Sequence, residues 1–187
     1  HSELNIEDLM GYEPDLVFNF PNQTTTDAMR AAGISVVPSA STGKLEDIKS
    51  TVKVYAEAIG GDAVGIAERY AEYFDNIIAK VTAIAQTVPE GDKPKVYFAN
   101  QEILFTAGNK SDINEIITLV GGIPAAAEVA GGSKTEVTKE QFIAWAPDYI
   151  FIDHAGSSGN ATAEEVVAQM VADADYADVP AIKNDRV

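Results

Sequence analysis

One pattern occurs twice in this chain and narrows what it can fold into. Glu7-Asp8-Leu9-Met10-Gly11-Tyr12-Glu13-Pro14-Asp15-Leu16-Val17-Phe18 reappears as Glu140-Gln141-Phe142-Ile143-Ala144-Trp145-Ala146-Pro147-Asp148-Tyr149-Ile150-Phe151. Each copy sets a Glu seven residues before Pro-Asp, an apolar pair soon after that Glu, and an aromatic two residues before the Pro. This reads as a short amphipathic helix stopped by proline, which disfavours helix in the residue ahead of it. The apolar run that follows reads as a buried strand. With a long helical stretch between the copies, two similar α/β lobes are expected. A chain built that way commonly holds something in the cleft between its lobes.

Strand and helix signals alternate on both sides of that stretch, which makes the fold class α/β. Strands are expected over 15–20, 34–38, 95–99 and 149–153, with a short extended piece at 103–105. Helices are expected around Asp27, over 45–59, 112–120, 138–144 and 163–171, and the longest runs from Asp62 to about Val88. Val64, Ala67, Tyr70, Ala71, Phe74, Ile77, Ile78, Val81, Ile84, Ala85 and Val88 keep a helical repeat through it. Pro89-Glu90-Gly91-Asp92-Lys93-Pro94 ends it and is the clearest boundary in the chain. The expected organisation is a first lobe over 1–60, a connecting helix over 61–91 and a second lobe over 92–187.

Charge and composition remove several function classes. The net charge of −16 comes from 29 acidic and 13 basic residues, and the acids are spread along the chain. That is a solvated acidic surface, and nucleic acid is excluded as a partner because no basic stripe meets phosphates. The chain has no cysteine, so disulfides and thiolate metal sites are absent. It has no run of about 18 apolar residues of the kind that crosses a membrane. Gly-x-Ser-x-Gly, Gly-x-Gly-x-x-Gly and the phosphate-loop lysine motif are all missing. His1 and His154 are the two histidines and form no cluster.

In open α/β sheets, ligands bind beyond the carboxyl ends of the strands. That rule selects the loops 19–25, 39–44, 100–108 and 154–160. Their amide and hydroxyl groups, with aromatic faces beside them, are what a small-molecule pocket needs. The candidate ligand contacts are Phe20, Asn22, Gln23, Ser39, Ser41, Asn100, Gln101, Phe105, His154 and Ser157. Arg30, Arg69 and Arg186 all lie outside these loops, while Lys44 and Lys110 border them, so a neutral, hydrogen-bonded ligand is expected. Tyr12 and Trp145, at matching places in the two copies, are expected to pack helix against sheet.

Several stretches carry a family resemblance. They are Leu4-Asn5-Ile6-Glu7-Asp8-Leu9, Glu13-Pro14-Asp15-Leu16-Val17-Phe18, Ala32-Gly33-Ile34-Ser35-Val36-Val37, Lys93-Pro94-Lys95-Val96-Tyr97-Phe98, Leu119-Val120-Gly121-Gly122, the second copy of the repeat, and Pro180-Ala181-Ile182-Lys183-Asn184-Asp185-Arg186-Val187. In this order they resemble the substrate-binding proteins of ABC importers for ferric siderophores, haem and cobalamin. The resemblance implies two Rossmann-like lobes with parallel sheets, joined by one long rigid helix. It also implies that the chain is truncated at both ends and that the first lobe is incomplete.

The function implied is non-enzymatic, extracytoplasmic capture of an iron siderophore, corrinoid or haem in the interlobe cleft, with delivery to an ABC importer permease. No resident cofactor is implied, since the chelate is cargo. The setting is periplasmic or cell-surface anchored, with membrane association through the permease or an anchor outside this chain. Members of the family present one carboxylate per lobe to the permease. Asp175, with Asp173 beside it, is the candidate in the second lobe. In the first, the matching place falls at Gln23, a departure from the pattern, and Asp27 is the nearest acid. The alternatives are a two-lobed α/β metalloprotein or enzyme, and a direct metal-ion binder.

Overall fold

A computed structural model describes residues 5–40, 44–153 and 162–187. The chain divides into two compact units, His1–Asn76 and Ile77–Val187. The division falls inside one long helix.

The first unit opens with helix α1 (Ile6–Gly11), whose first turn is capped by the Asn5 side chain accepting from the N–H groups of Glu7 and Asp8. Glu13 then takes a left-handed φ of 49° ahead of Pro14, and the chain enters strand β1 (Val17–Asn19). Helix α2 (Gln23–Ala31) starts on Asn22, whose side chain accepts from the Thr25 N–H. Gly33, at φ 81°, turns the chain into strand β2 (Val36–Pro38). The two strands pair in parallel with Val17 opposite Val36, the strand–helix–strand unit expected from the sequence. Met29, Ile34 and Val36 form the buried core, with Ile6, Leu9, Val17 and Ala32 packed against it. Helix α3 (Glu46–Ile59) follows, then Gly60-Gly61 and helix α4 (Ala63–Ala85). At 23 residues α4 is about 35 Å long.

In the second unit, strand β3 (Lys95–Asn100) runs through the middle of the sheet. Strand β7 (Tyr149–Asp153) pairs with it in parallel along one edge, from Val96–Tyr149 to Asn100–Asp153. The other edge is shared. Strand β5 (Ile123–Pro124) pairs in parallel with its start, and strand β4 (Phe105–Thr106) pairs antiparallel near its end. Strand β6 (Thr135–Glu136) continues the sheet antiparallel to β4. The parallel pairing expected from the sequence therefore holds for β3, β5 and β7, and β4 and β6 add an antiparallel margin. The reversal arises because residues 101–104 return the chain at once alongside β3, where a parallel neighbour needs a long crossover.

Helix α5 (Asp112–Leu119) is capped by Ser111. Helix α6 (Lys139–Trp145) begins with a capping box of Thr138 and Gln141. It ends at Ala146, left-handed at φ 46° ahead of Pro147, the same device as Glu13 ahead of Pro14. The Lys95 ammonium donates to the Trp145 carbonyl at 2.8 Å, holding the end of α6 to β3. Asp148 fixes the strand entry, its Oδ2 accepting from the Lys95 N–H while its own N–H donates to the Lys95 carbonyl, both at 2.8 Å. Helices α7 (Ala163–Ala172) and α8 (Pro180–Lys183) complete the unit.

The core of this unit centres on Tyr97 and Phe142, both fully buried, with Ile150, Met170, Tyr176, Val179 and Ala181. Tyr97 and Phe142 meet edge to face at 4.8 Å, and Phe142 and Tyr176 at 5.2 Å. Trp145 packs against this cluster, as expected. Its counterpart Tyr12 does not pack. It is 81% exposed, because the two three-residue strands of the first unit present too little surface to cover it.

Candidate functional site

The carboxyl ends of the parallel strands place most of the sequence-selected polar residues. At the end of β3, Asn100 stands opposite Asp153 of β7. Its Nδ2 donates to the Ser133 carbonyl at 2.8 Å. The next residue, Gln101, turns into a left-handed φ of 68° while its N–H donates to the Asp153 carbonyl at 2.8 Å. A non-glycine residue held in that region is strained, and such strain gathers at ligand-binding positions. Phe105 begins β4 a few residues on, half-buried.

One residue that the sequence reading missed sits among these three. Lys134, just before β6, sends its ammonium to 4.7 Å from the centre of the Phe105 ring. The same ammonium lies 3.2 Å from Gln101 Oε1 and 3.7 Å from Glu102 Oε1. Antiparallel pairing of Phe105 with Glu136 brings Lys134 diagonally across from the ring. No signal local to residue 134 announces this, because it lies outside the four strand-end loops and arrives through β6, a strand of two residues.

The approach of two backbones fixes this corner. Gly108, Asn109 and Lys110 donate their N–H groups to the carbonyls of Gly132, Val129 and Gly131 at 2.7–2.9 Å. A Cβ on Gly108 would lie 2.7 Å from the Gly131 oxygen, so glycine is required there.

In the first unit, Phe20 projects from the end of β1, 87% exposed. Asn22 spends its side-chain oxygen on capping α2. Ser39 donates its N–H to the Asn19 carbonyl at 2.9 Å, tying the ends of β1 and β2 together. Asn19 donates to Thr26 Oγ1 at 3.3 Å, and its Oδ1 is buried without a hydrogen-bond partner among the described residues. Ser41, His154 and Ser157 lie outside the described residues.

The two candidate docking carboxylates are both engaged. Gln23 Nε2 donates to both oxygens of Asp27, at 2.8 and 2.9 Å on an exposed helix face. Lys139 bridges Asp175 and Asp173 and lies 4.8 Å from the centre of the Tyr176 ring. Asp175 first, then Asp173, raises the Lys139 ammonium above its ordinary pKa. The Asp175 N–H, then Lys139, lowers the Asp173 carboxyl below its own. The ring of Tyr176 is 4% exposed and belongs to the core, with its phenol pushed up chiefly by burial.

The first unit also has a groove of about 500 Å³ between α3 and α4. Ala56, Ala67 and Ala71 line it together with Lys49, which bridges Glu46 at 3.3 Å and Asp75 at 2.6 Å. None of the sequence-selected ligand residues is in its lining. Among the described residues no group of three His, Asp or Glu is placed to hold a metal ion, and no helix is long and apolar enough to cross a membrane.

The family profile described as "Periplasmic binding protein" matches residues 1–187. No curated protein matches the chain. Among solved structures, a periplasmic solute binding protein from Veillonella parvula DSM 2008 superposes with a TM-score of 0.74 at 26% identity, over 99% of this chain and 54% of that one. A periplasmic haem-binding protein from Roseiflexus sp. RS-1 reaches 0.81 at 24% identity, over 98% and 69%. A molybdate periplasmic binding protein from Haemophilus influenzae reaches 0.80 at 18% identity, over 98% and 60%. The last two show the fold alone. The chain thus spans between about half and seven-tenths of the length of these relatives.

Proposed function

The chain belongs to the periplasmic binding protein family, and from that premise we propose that it is the non-enzymatic solute-binding component of an ABC importer. Its work is extracytoplasmic, in keeping with the family and with the periplasmic proteins it resembles. The observation that carries the reading is a family match running through all the described elements, residues 1–187. The strand-end chemistry supports it. Polar amides, an aromatic face and a strained backbone gather at the end of β3, where α/β sheets hold small molecules.

The cargo is a metal chelate: an iron siderophore, a corrinoid or haem. The haem-binding protein from Roseiflexus and the molybdate-binding protein from Haemophilus influenzae share the fold. The candidate contacts are Phe20, Gln23, Ser39 and Ser41 in the first unit, where the Asn22 oxygen is committed to its helix cap, and Asn100, Gln101, Phe105, His154 and Ser157 in the second. The chelate is cargo carried to a permease, so the reading includes no resident cofactor. Asp27 and Asp175 are the carboxylates offered to that permease. Both already hold a partner on this chain, Gln23 and Lys139, so a permease cation docks by sharing or displacing it.

A thermal-shift panel tests the proposal. Ferric siderophores, cobalamin, cobinamide, haemin and bare metal ions are each added to the intact protein. A specific ligand raises the melting temperature in step with its occupancy. One chelate class is expected to do so without being consumed. A shift from bare metal alone, or from none of the panel, refutes it.

A further inference from the structure

Lys134 changes the charge of the site. The loop at 100–108, taken alone, offers amides, a hydroxyl and a ring, with Glu102 as its charged residue. The fold adds a cation to the loop at 100–105 by carrying residue 134 into it through β6. We infer that Lys134 is the specificity-determining residue of this site, and that the chelate it selects carries a negative group beside a flat conjugated face. The inference rests on the solute-binding reading and deepens it by naming the ligand's charge.

The geometry carries the argument. A lysine ammonium has three N–H donors. One reaches the neutral amide oxygen of Gln101 at 3.2 Å. Glu102 Oε1, at 3.7 Å, is well beyond the roughly 2.7–2.9 Å of a committed ammonium–carboxylate hydrogen bond. The cation therefore has a loose counter-ion that an incoming anion can replace. The ammonium itself stays beside Phe105, 4.7 Å from the centre of the ring. The base is pinned as well, because Asn100 holds the Ser133 carbonyl next door. An anion bound by this ammonium would bring the rest of its molecule against Phe105, which is why a flat conjugated body fits. In a chain of net charge −16, an anionic ligand needs such a local cation to offset the surrounding field.

The test uses the intact protein and two variants, Lys134→Gln and Lys134→Arg, each titrated with two groups of probes. The anions are haemin and a ferric tris-catecholate. The neutral group is haemin dimethyl ester, a ferric trihydroxamate and dicyanocobinamide. At least one anion is expected to bind, about ten-fold more weakly to Lys134→Gln, with most of the affinity kept by Lys134→Arg. Because the Lys134 side chain is 40% exposed, neither change disturbs a core. An anion that binds the native protein and Lys134→Gln equally overturns the inference and leaves the solute-binding reading standing. So does binding confined to the neutral probes. Failure of every probe overturns both.

Discussion

Phe142 lies fully buried between Tyr97 and Tyr176, touching one edge to face and meeting the other at 89°. Truncating it removes the ring both neighbours pack on, so Phe142→Ala is expected to cost about 3–5 kcal/mol. Urea unfolding followed by far-ultraviolet circular dichroism checks this, and a loss below about 1 kcal/mol would mean the site collapses around the change. Lys139 makes a pH-dependent contribution. Asp173 has a lowered folded pKa, so its contribution to stability is present above the ordinary carboxylate range and is lost as pH falls through the folded value. Lys139 is raised, so its share is present below its ordinary 10.5 and is lost only above that. Lys139→Gln should therefore lower the melting temperature at pH 7 and make little difference at pH 2. Equal losses at both would show that the bridge to Asp173 and Asp175 contributes nothing. The two copies of the repeat differ at their aromatic position. Trp145 packs as its place in the repeat implied, while Tyr12, at the same place in the other copy, faces water. The repeat specifies where an aromatic sits along the chain, and the sheet beneath decides whether it is covered.

Helix α6 and strand β7 form the better-developed copy of the repeat. The capping box at Thr138 satisfies two N–H groups that a helix start leaves open, those of Gln141 and of Thr138 itself. Thr138→Ala should cost about 1 kcal/mol, read as a lower urea midpoint with an unchanged slope. Thr138→Ser, which keeps the hydroxyl, should restore most of it, and no difference between the two would remove the cap from the account. The helix–Pro–strand units, the long helix and the main strands were legible because each has a period or a stop signal several residues long. The short pieces were not. Strands β5 and β6 have two residues each and α8 four, lengths at which no period exists to read. That blind spot hid Lys134, whose place in the site depends on β6 pairing with β4. The expectation of a neutral ligand came from the loops without it, and the anionic ligand inferred above rests on its arrival.

On the scale of the molecule, the α/β class and the family were readable from motifs spread in order along the chain. The profile match over residues 1–187 bears the family out. A candidate set of loops was readable, since strand ends are predictable from strand positions. Which side chains in those loops face a ligand depends on tertiary pairing, and Asn22 shows why, its oxygen being spent on a helix cap. The proposed function has this protein bind a metal chelate without altering it. Native mass spectrometry of the intact protein, after incubation with the chelate that most raises its melting temperature, tests that directly. A one-to-one complex is expected, with the mass of the protein plus the unaltered chelate. A chemically altered ligand, or metal retained without its organic part, would contradict it.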